Sequence, residues 1–290
     1  MVGVFLSAAV LITAGSLALT LYGHSTSAVA PRGHRQRPAS GDDPAARGQA
    51  AAWVASQIGR TTIVSADPAM CRVLESHGVP ARNLYELGPE ATNPFRSTVI
   101  VATPAVRAQF GTLLGSVYAP AVLASFGSGR QRVDIREIAP HGAAAYRSML
   151  AADLAARKST AAELLRSNRI NVSPTAGKQL SAGQVDSRLE ITVAAMAAKR
   201  PIYIVAFNGF APGADTNVPL RFADVVQASP GYLAGSRSVT PAFVRSMAAF
   251  LRGDAPYRPL RVETVRLAGG HTVLRIEFAA PSPIGLFGSP

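Results

Sequence analysis

Cysteine is nearly absent from the sequence, with Cys71 the single example in 290 residues. One cysteine excludes an internal disulfide and any zinc site built from several cysteines. The surrounding residues, SADPAMCRVL, predict a helix in which the thiol is a small buried apolar group rather than a nucleophile. Histidine is also scarce, because His271 is the only one after His141. We therefore expect neither a bound metal nor another cofactor.

Charged residues are few, at 16% of the chain against roughly 25% in an average soluble domain. The 48% of hydrophobic residues is enough to fill a sizeable core, so the chain is expected to fold. The net charge is +12, but no segment interleaves basic and aromatic residues, and nucleic acid is not an expected partner. The expected partner that balances this charge is wall glycan, a peptidoglycan precursor or anionic lipid.

The first 23 residues contain no charged side chain and are long enough to cross a hydrocarbon core of about 30 Å. They predict a transmembrane anchor or signal-anchor that contacts the membrane through residues 2–22. Small residues in STSAVA would suit cleavage of a signal peptide, but the start of the chain lacks the usual lysine or arginine. An uncleaved anchor is the preferred interpretation.

Residues 24–48 are polar and rich in proline and glycine, which predicts a flexible tether. A single apolar span followed by such a tether is typical of an extracytoplasmic body anchored in the cell membrane. Three arginines after the span conflict with this orientation, because basic flanks tend to stay in the cytoplasm. A cytoplasmic-facing membrane scaffold therefore remains an alternative. The three residues are Arg32, Arg35 and Arg37.

The segments TTIVSADPAMCRVLESHG and STVIVATPAVRAQFGTLLG each run from a β-branched strand into an amphipathic helix. Asp67 and Thr103 are the predicted N-caps, and a proline follows each at the first helical position. Alternating strands and helices favour a parallel sheet. We predict a first α/β domain over residues 49–140, with a parallel, Rossmann-like sheet.

Residues 141–168 carry an apolar helical stripe and predict a helical connector of one helix or two. Residues 169–290 predict a second α/β domain with a mixed sheet. In this domain, Ser187 and Glu190 match the S-x-x-E capping box of a helix start. The segments LRVETVRL and HTVLRIEF, joined by AGG, predict a C-terminal β-hairpin.

The segments AAWVASQI, TIVSADPAMCRVLESHGVP, VIVATPAVR and ASFGSGRQRVDIREIAPHGAAAY lie within residues 49–146. Together they resemble the soluble C-terminal domain of some actinobacterial membrane glycosyltransferases. In that family the domain lies outside the membrane, and the catalytic carboxylates belong to the transmembrane part. The resemblance therefore implies an extracytoplasmic location and a binding role, but not glycosyl transfer.

The segment LLRSNRINVSPTAGKQLSAGQVDSRLEITVAAMAAKRPIYIVAF and the later TNVPLRFADV lie within residues 164–225. Together they are similar to actinobacterial domains related to zinc D-alanyl-D-alanine peptidases. In those domains a Ser-Asn-His stretch followed by Arg-Ala-Val-Asp supplies a histidine and an aspartate to zinc. Here Thr216 and Asn217 match the first two residues, and Val218 stands where the histidine belongs. Arg221 matches the arginine, and Asp224 falls near the aspartate. The resemblance implies a degenerate relative that has kept the scaffold without the metal.

These observations predict a membrane-anchored extracytoplasmic protein of the cell envelope that is accessory or ligand-binding and non-catalytic. The competing class is a wall hydrolase, either metal-dependent through Asp215, Asp224 and His271, or a serine hydrolase around Ser128 with His141 or His271 as its base. The candidate binding residues are Asn208, Asp215, Asn217, Arg221, Asp224 and His271.

Overall fold

The computed structural model describes residues 43–90, 93–209, 211–228 and 238–287. The fold is α/β with two five-stranded sheets, both of them mixed. The predicted fold class needs two corrections, one in the first sheet and one at the N-terminus.

The first sheet has the strand order β2-β1-β3-β5-β4. Its strands are β1 (Val64–Ala66), β2 (Leu84–Glu86), β3 (Val99–Ala102), β4 (Ala121–Phe126) and β5 (Val133–Glu137). Strands β1, β2 and β3 are parallel, but β5 runs antiparallel to both β3 and β4. The prediction of a parallel sheet is therefore wrong. The short connection from β4 to β5 is the reason, because a parallel pair needs a crossover of a dozen or more residues.

Helices cover both faces of this sheet. They are α1 (Pro44–Gln57), α2 (Pro68–Ser76) and α3 (Pro104–Phe110). Side chains of β3 alternate between the faces: Val99 and Val101 pack with α1 and α2, whereas Ile100 and Ala102 pack with α3. Helix α1 begins inside the predicted tether, because the Asp43 side chain accepts hydrogen bonds from the backbone N–H groups of the first turn.

The predicted N-caps of α2 and α3 are confirmed. Asp67 Oδ1 accepts from Met70 N at 2.9 Å, and Thr103 Oγ1 accepts from Val106 N at 3.4 Å. Cys71 lies in α2 and is 5% exposed. Its Sγ is 3.5 Å from Ala66 O, and burial raises the pKa of the thiol to about 11. The thiol is therefore protonated at neutral pH, in agreement with the predicted structural role.

The connector is a single helix, α4 (Gly142–Arg166), preceded by a π-helical turn at Leu114–Tyr118 in the first half of the chain. It contacts that turn near its start and elements of the second sheet further along. Within α4, Arg157 bonds Asp153 through Nε at 2.8 Å and donates from Nη1 to Gly183 O. The sequence did not distinguish one helix from two, and the structure shows a single helix.

The second sheet has the order β6-β7-β8-β10-β9, with β6 parallel to β7 and the other pairs antiparallel. Its core lies between the sheet and four helices, which are the last part of α4 and three helices that follow it. The strands are β6 (Ile170–Val172), β7 (Ile202–Asn208), β8 (Phe222–Gln227), β9 (Arg261–Arg266) and β10 (Thr272–Glu277). The helices are α5 (Pro174–Ser181), α6 (Ser187–Lys199) and α7 (Pro241–Gly253).

The predicted hairpin is formed by β9 and β10. The predicted capping box is wrong, because the N-cap of α6 is Asp186, whose Oδ1 accepts from Arg188 N at 2.8 Å. Ser187 is already inside the helix, and Glu190 is 0% exposed in the core rather than turned back to the helix start. Tertiary packing of α6 has overridden the local capping pattern.

No helix in the described part of the chain is long and apolar enough to cross a membrane. The helix predicted at residues 1–23, together with the membrane contact at 2–22, lies outside the described residues. The fold class is accordingly corrected to an α/β fold with two mixed sheets.

Candidate functional site

A cleft of about 430 Å³ lies where the two sheets meet. The first sheet and its helices contribute Trp53 of α1, residues 120–123 at the start of β4, and Glu137 of β5. Helix α4 forms one wall, and the loop between β7 and β8 forms another. The segment 280–284 closes the remaining side. A cleft shared by two packed units is a common place for a small-molecule site.

The loop between β7 and β8 is held against the edge strand β4. Asp215 N donates to Leu123 O at 2.9 Å, and Ser125 N donates to Gly213 O at 2.8 Å. Gly213 has a φ of +82°, and a Cβ at this position would overlap the ring of Phe126. Glycine therefore permits the close approach that places residues 215–221 in the cleft wall.

Arg221 is the most buried charged side chain of the cleft wall, at 2% exposure. Its Nη1 donates to Phe278 O and its Nη2 to Gln57 Oε1, both at 3.0 Å. Burial lowers the pKa of Arg221 to about 10, while the charges of Asp186 and Glu277 act in the opposite direction. Within the described residues, no carboxylate forms an ion pair with this guanidinium, although it remains charged at neutral pH.

Trp53 is 4% exposed and lines the same cleft. Its indole Nε1–H is buried and has no hydrogen-bond acceptor among the described residues. The hydroxyl of Ser282, on the opposite segment, is likewise buried without a partner in that part of the chain. Unpaired buried polar groups are uncommon, because each loses its hydration without compensation. Both unpaired groups belong to residues that line the cleft.

Glu137 lies at the α4 side of the cleft, where the Tyr146 hydroxyl donates to its Oε2 at 2.7 Å. Burial raises the pKa of Glu137 to about 7, and the hydrogen bond from Tyr146 lowers it in part. The pKa of Tyr146 is raised by its own burial and by the nearby Glu137 charge. The cleft therefore contains a permanent cation and a carboxyl group that titrates near neutrality.

Asp215 and Asn217, two of the predicted site residues, also line the cleft. Asp215 Oδ1 accepts from Asn217 N at 2.8 Å and from Asn217 Nδ2 at 2.9 Å. This is a local turn stabilised by an aspartate side chain. Together with Arg221, these two residues line the same side of the cleft.

Asp224 and Asn208 do not line the cleft. Arg275 Nε and Nη2 donate to the two oxygens of Asp224 at 2.7 and 2.8 Å, and Asn208 Nδ2 lies 3.5 Å from Oδ2. Asp224 is 1% exposed and sits opposite Arg275 in the pairing of β8 with β10. Its neighbours Ala223 and Val225 point into the main core, so Asp224 points to the other face. Its role in the described structure is that of a buried ion-pair partner.

His271 stands in the turn between β9 and β10, where its carbonyl accepts from Leu267 N at 2.8 Å. It precedes Arg275 by four residues, which is about 13 Å along a strand at about 3.3 Å per residue. It is therefore remote from Asp224. Within the described ranges, no group of three His, Cys, Asp or Glu side chains could hold a metal ion.

Ser128 is exposed in the connection between β4 and β5, and it has no hydrogen-bond partner in the described part of the chain. His141, one of the two bases considered for it, is exposed at the start of α4. The geometry therefore supports neither hydrolase interpretation.

Three cleft residues were missed at the level of sequence: Trp53, Glu137 and Tyr146. Trp53 and Tyr146 occupy apolar positions of helical stripes, where core packing is the default expectation. Glu137 is one charge among several in a strand. Only the fact that Trp53 is the single tryptophan of the chain could have drawn attention to it.

Comparison of the chain with protein-family models, curated proteins and solved structures finds no match. The resemblances of residues 49–146 and 164–225 to known families therefore stay predictions. The functional assignment depends on the cleft alone.

Proposed function

We propose that the protein binds a small organic anion in the cleft and acts as an accessory or ligand-binding protein rather than a catalyst. The observation that carries this proposal is Arg221, a buried guanidinium that lines the cleft without an ion-pair partner in the described residues. Buried charges are normally paired, because removing an ion from water is costly. A carboxylate on the ligand would complete the pairing.

The hydrogen-bonding capacity of Arg221 supports the same proposal. A guanidinium has five N–H donors, and the described residues accept from two of them. A carboxylate can accept from two N–H groups of an arginine at once. Apolar side chains such as Val122 and Leu150 form other parts of the lining and suit the carbon skeleton of the ligand.

The binding role is favoured over hydrolysis by the positions of the residues proposed for catalysis. Asp224 forms an ion pair with Arg275, and neither His271 nor Ser128 lines the cleft. The extracytoplasmic location in the cell envelope stays a prediction from the sequence, as do wall glycan, peptidoglycan precursor and anionic lipid as partners.

Trp53 provides a direct assay, because it is the only tryptophan and lines the cleft. Titration with caproate, a small carboxylate with an apolar tail, is expected to change the tryptophan fluorescence saturably. Arg221→Gln should weaken binding by at least about tenfold, since a hydrogen bond to a charged group contributes roughly 1.5–3 kcal/mol. Arg72→Gln is the matched control, because Arg72 is exposed on α2.

Arg221 also supports the backbone at Phe278, so the urea-unfolding midpoint of Arg221→Gln must be measured beside its affinity. Absence of saturable binding by the wild-type chain, or equal affinity in Arg221→Gln and Arg72→Gln, would contradict the proposed function.

A further inference from the structure

We propose that Glu137 and Tyr146 form a second subsite in the cleft that binds an ammonium group, so that the preferred ligands are amino carboxylates. This inference rests on the proposed function, because it adds a cationic group to a ligand whose anionic group is held by Arg221. It assigns Glu137 as a specificity-determining residue.

The hydrogen bonding of Glu137 leaves one side of its carboxyl group open. Tyr146 donates to Oε2, whereas Oε1 has no hydrogen-bond or ion-pair partner among the described residues. The Tyr146 hydroxyl also fixes the orientation of the carboxylate. An ammonium group has three donors and no acceptor, which suits an unoccupied carboxylate oxygen.

The other acids of the cleft are less suited to this role. Asp153 already has both oxygens occupied, because Arg157 Nε donates to Oδ2 at 2.8 Å and Gly285 N donates to Oδ1 at 2.9 Å. Asp215 is bonded within its own turn. Glu137 is thus a largely buried acid of the cleft without a cation beside it, and its raised pKa reflects that environment.

There is space for a ligand group on both sides of Glu137. A second cavity of about 180 Å³ adjoins the first, and Glu137, Tyr146 and Ile284 line both. Glu137 therefore lies where the two cavities meet. A ligand that contacts both Arg221 and Glu137 would lie against the apolar residues that line the same cleft.

The charges that surround the cleft match a zwitterion better than a simple anion. Arg221 supplies the buried positive charge, and Glu137 supplies a carboxyl group that an ammonium ion would keep ionised. A ligand with both groups would pair each of them, whereas a simple carboxylate leaves Glu137 without a partner. The neutral carbon chain between the two groups would contact Val122 and Leu150.

The test compares ε-aminocaproate, caproate and hexylamine, with γ-aminobutyrate, butyrate and butylamine as a shorter series. Binding to the full chain is measured by Trp53 fluorescence and by calorimetry. In the wild type, at least one amino carboxylate should bind about tenfold or more tightly than its matched carboxylate, in line with a charge-assisted hydrogen bond. Glu137→Gln should abolish this difference, while caproate still binds through Arg221.

Glu137→Gln keeps an acceptor for the Tyr146 hydroxyl and so tests charge rather than packing. Glu86→Gln, at an exposed position of β2, is the matched control and should retain the preference. If carboxylates bind through Arg221 with no preference for either amino carboxylate, or if Glu137→Gln keeps the preference, this inference is overturned while the proposed function stands. If no carboxylate binds, the proposed function fails and the inference fails with it.

Discussion

Glu190 tests how a buried carboxyl group makes the stability of the fold depend on pH. Its side chain is 0% exposed, and neither Oε1 nor Oε2 has a hydrogen-bond partner among the described residues. Burial raises the pKa of Glu190 from an ordinary 4.5 to about 9; the charge of Arg157 lowers it, and Asp153 and Asp186 raise it further. At neutral pH the carboxyl group is therefore protonated in the folded chain and ionised in the unfolded chain.

The sign of the pH dependence follows from this difference. Because the folded chain binds the proton more tightly, the contribution of Glu190 to stability is fully present below pH 4.5 and is lost as pH rises toward about 9. The slope is about 1.4 kcal/mol per pH unit, which amounts to about 2.7 kcal/mol over two pH units. Glu190→Gln has nearly the same shape and does not ionise, so it should lack this contribution.

The measurement is urea unfolding of the wild type and of Glu190→Gln between pH 5 and pH 8. The variant should gain stability relative to the wild type as pH rises, with the difference growing by about 1.4 kcal/mol per pH unit. Glu163→Gln, which removes an exposed carboxylate from α4, is the control and should not change the slope by a comparable amount. Parallel curves for the wild type and Glu190→Gln would refute the reasoning.

Two further predictions concern the cleft and its surroundings. Gly213→Ala should destabilise the fold by about 1–3 kcal/mol and weaken caproate binding. The reason is that the new Cβ overlaps the Phe126 ring and displaces the loop from β4. Urea unfolding measures the loss of stability, and Trp53 fluorescence measures the loss of binding. Asp224→Asn should destabilise the fold by roughly 1–3 kcal/mol through the loss of its charge pairing with Arg275, while caproate affinity stays within twofold of wild type.

Each of these predictions has a matched control. Gly111→Ala places a side chain at another positive φ, +54°, with no atom within 4 Å of the new Cβ. This variant should be less stable to urea because of backbone strain, but it should bind caproate as the wild type does. Glu263→Gln removes the exposed carboxylate that lies opposite Arg275 in the pairing of β9 with β10, and it should change the free energy of unfolding little. Loss of caproate binding in a stably folded Asp224→Asn variant would instead indicate that Asp224 belongs to the functional site.

Helix starts were the features best predicted from local sequence. Asp67 and Thr103 each cap a helix through a side-chain oxygen, and in each case the following proline is the first helical residue. These contacts span three residues, so neighbouring sequence determines them. The capping box at Ser187 and Glu190 failed, because Glu190 is drawn into the core when α6 packs on the second sheet.

Three of the six candidate binding residues line one cleft, and the other three do not. Asp215, Asn217 and Arg221 lie within seven residues of one another, and a single loop delivers them to the same wall. Asp224 is only three residues further along, but the alternation of β8 turns it to the opposite face of the sheet. The position of His271 depends on where the hairpin lies relative to the cleft, and local sequence does not specify this.

The sequence by itself determined the α/β class, the helix caps, the C-terminal hairpin and the scarcity of metal ligands, because each depends on composition or on residues a few positions apart. Tertiary structure alone decided that the first sheet is mixed and that Trp53, Glu137 and Arg221 share one cleft. These residues come from parts of the chain more than 80 positions apart. Their meeting depends on the packing of two sheets against α4, and no local pattern encodes that arrangement.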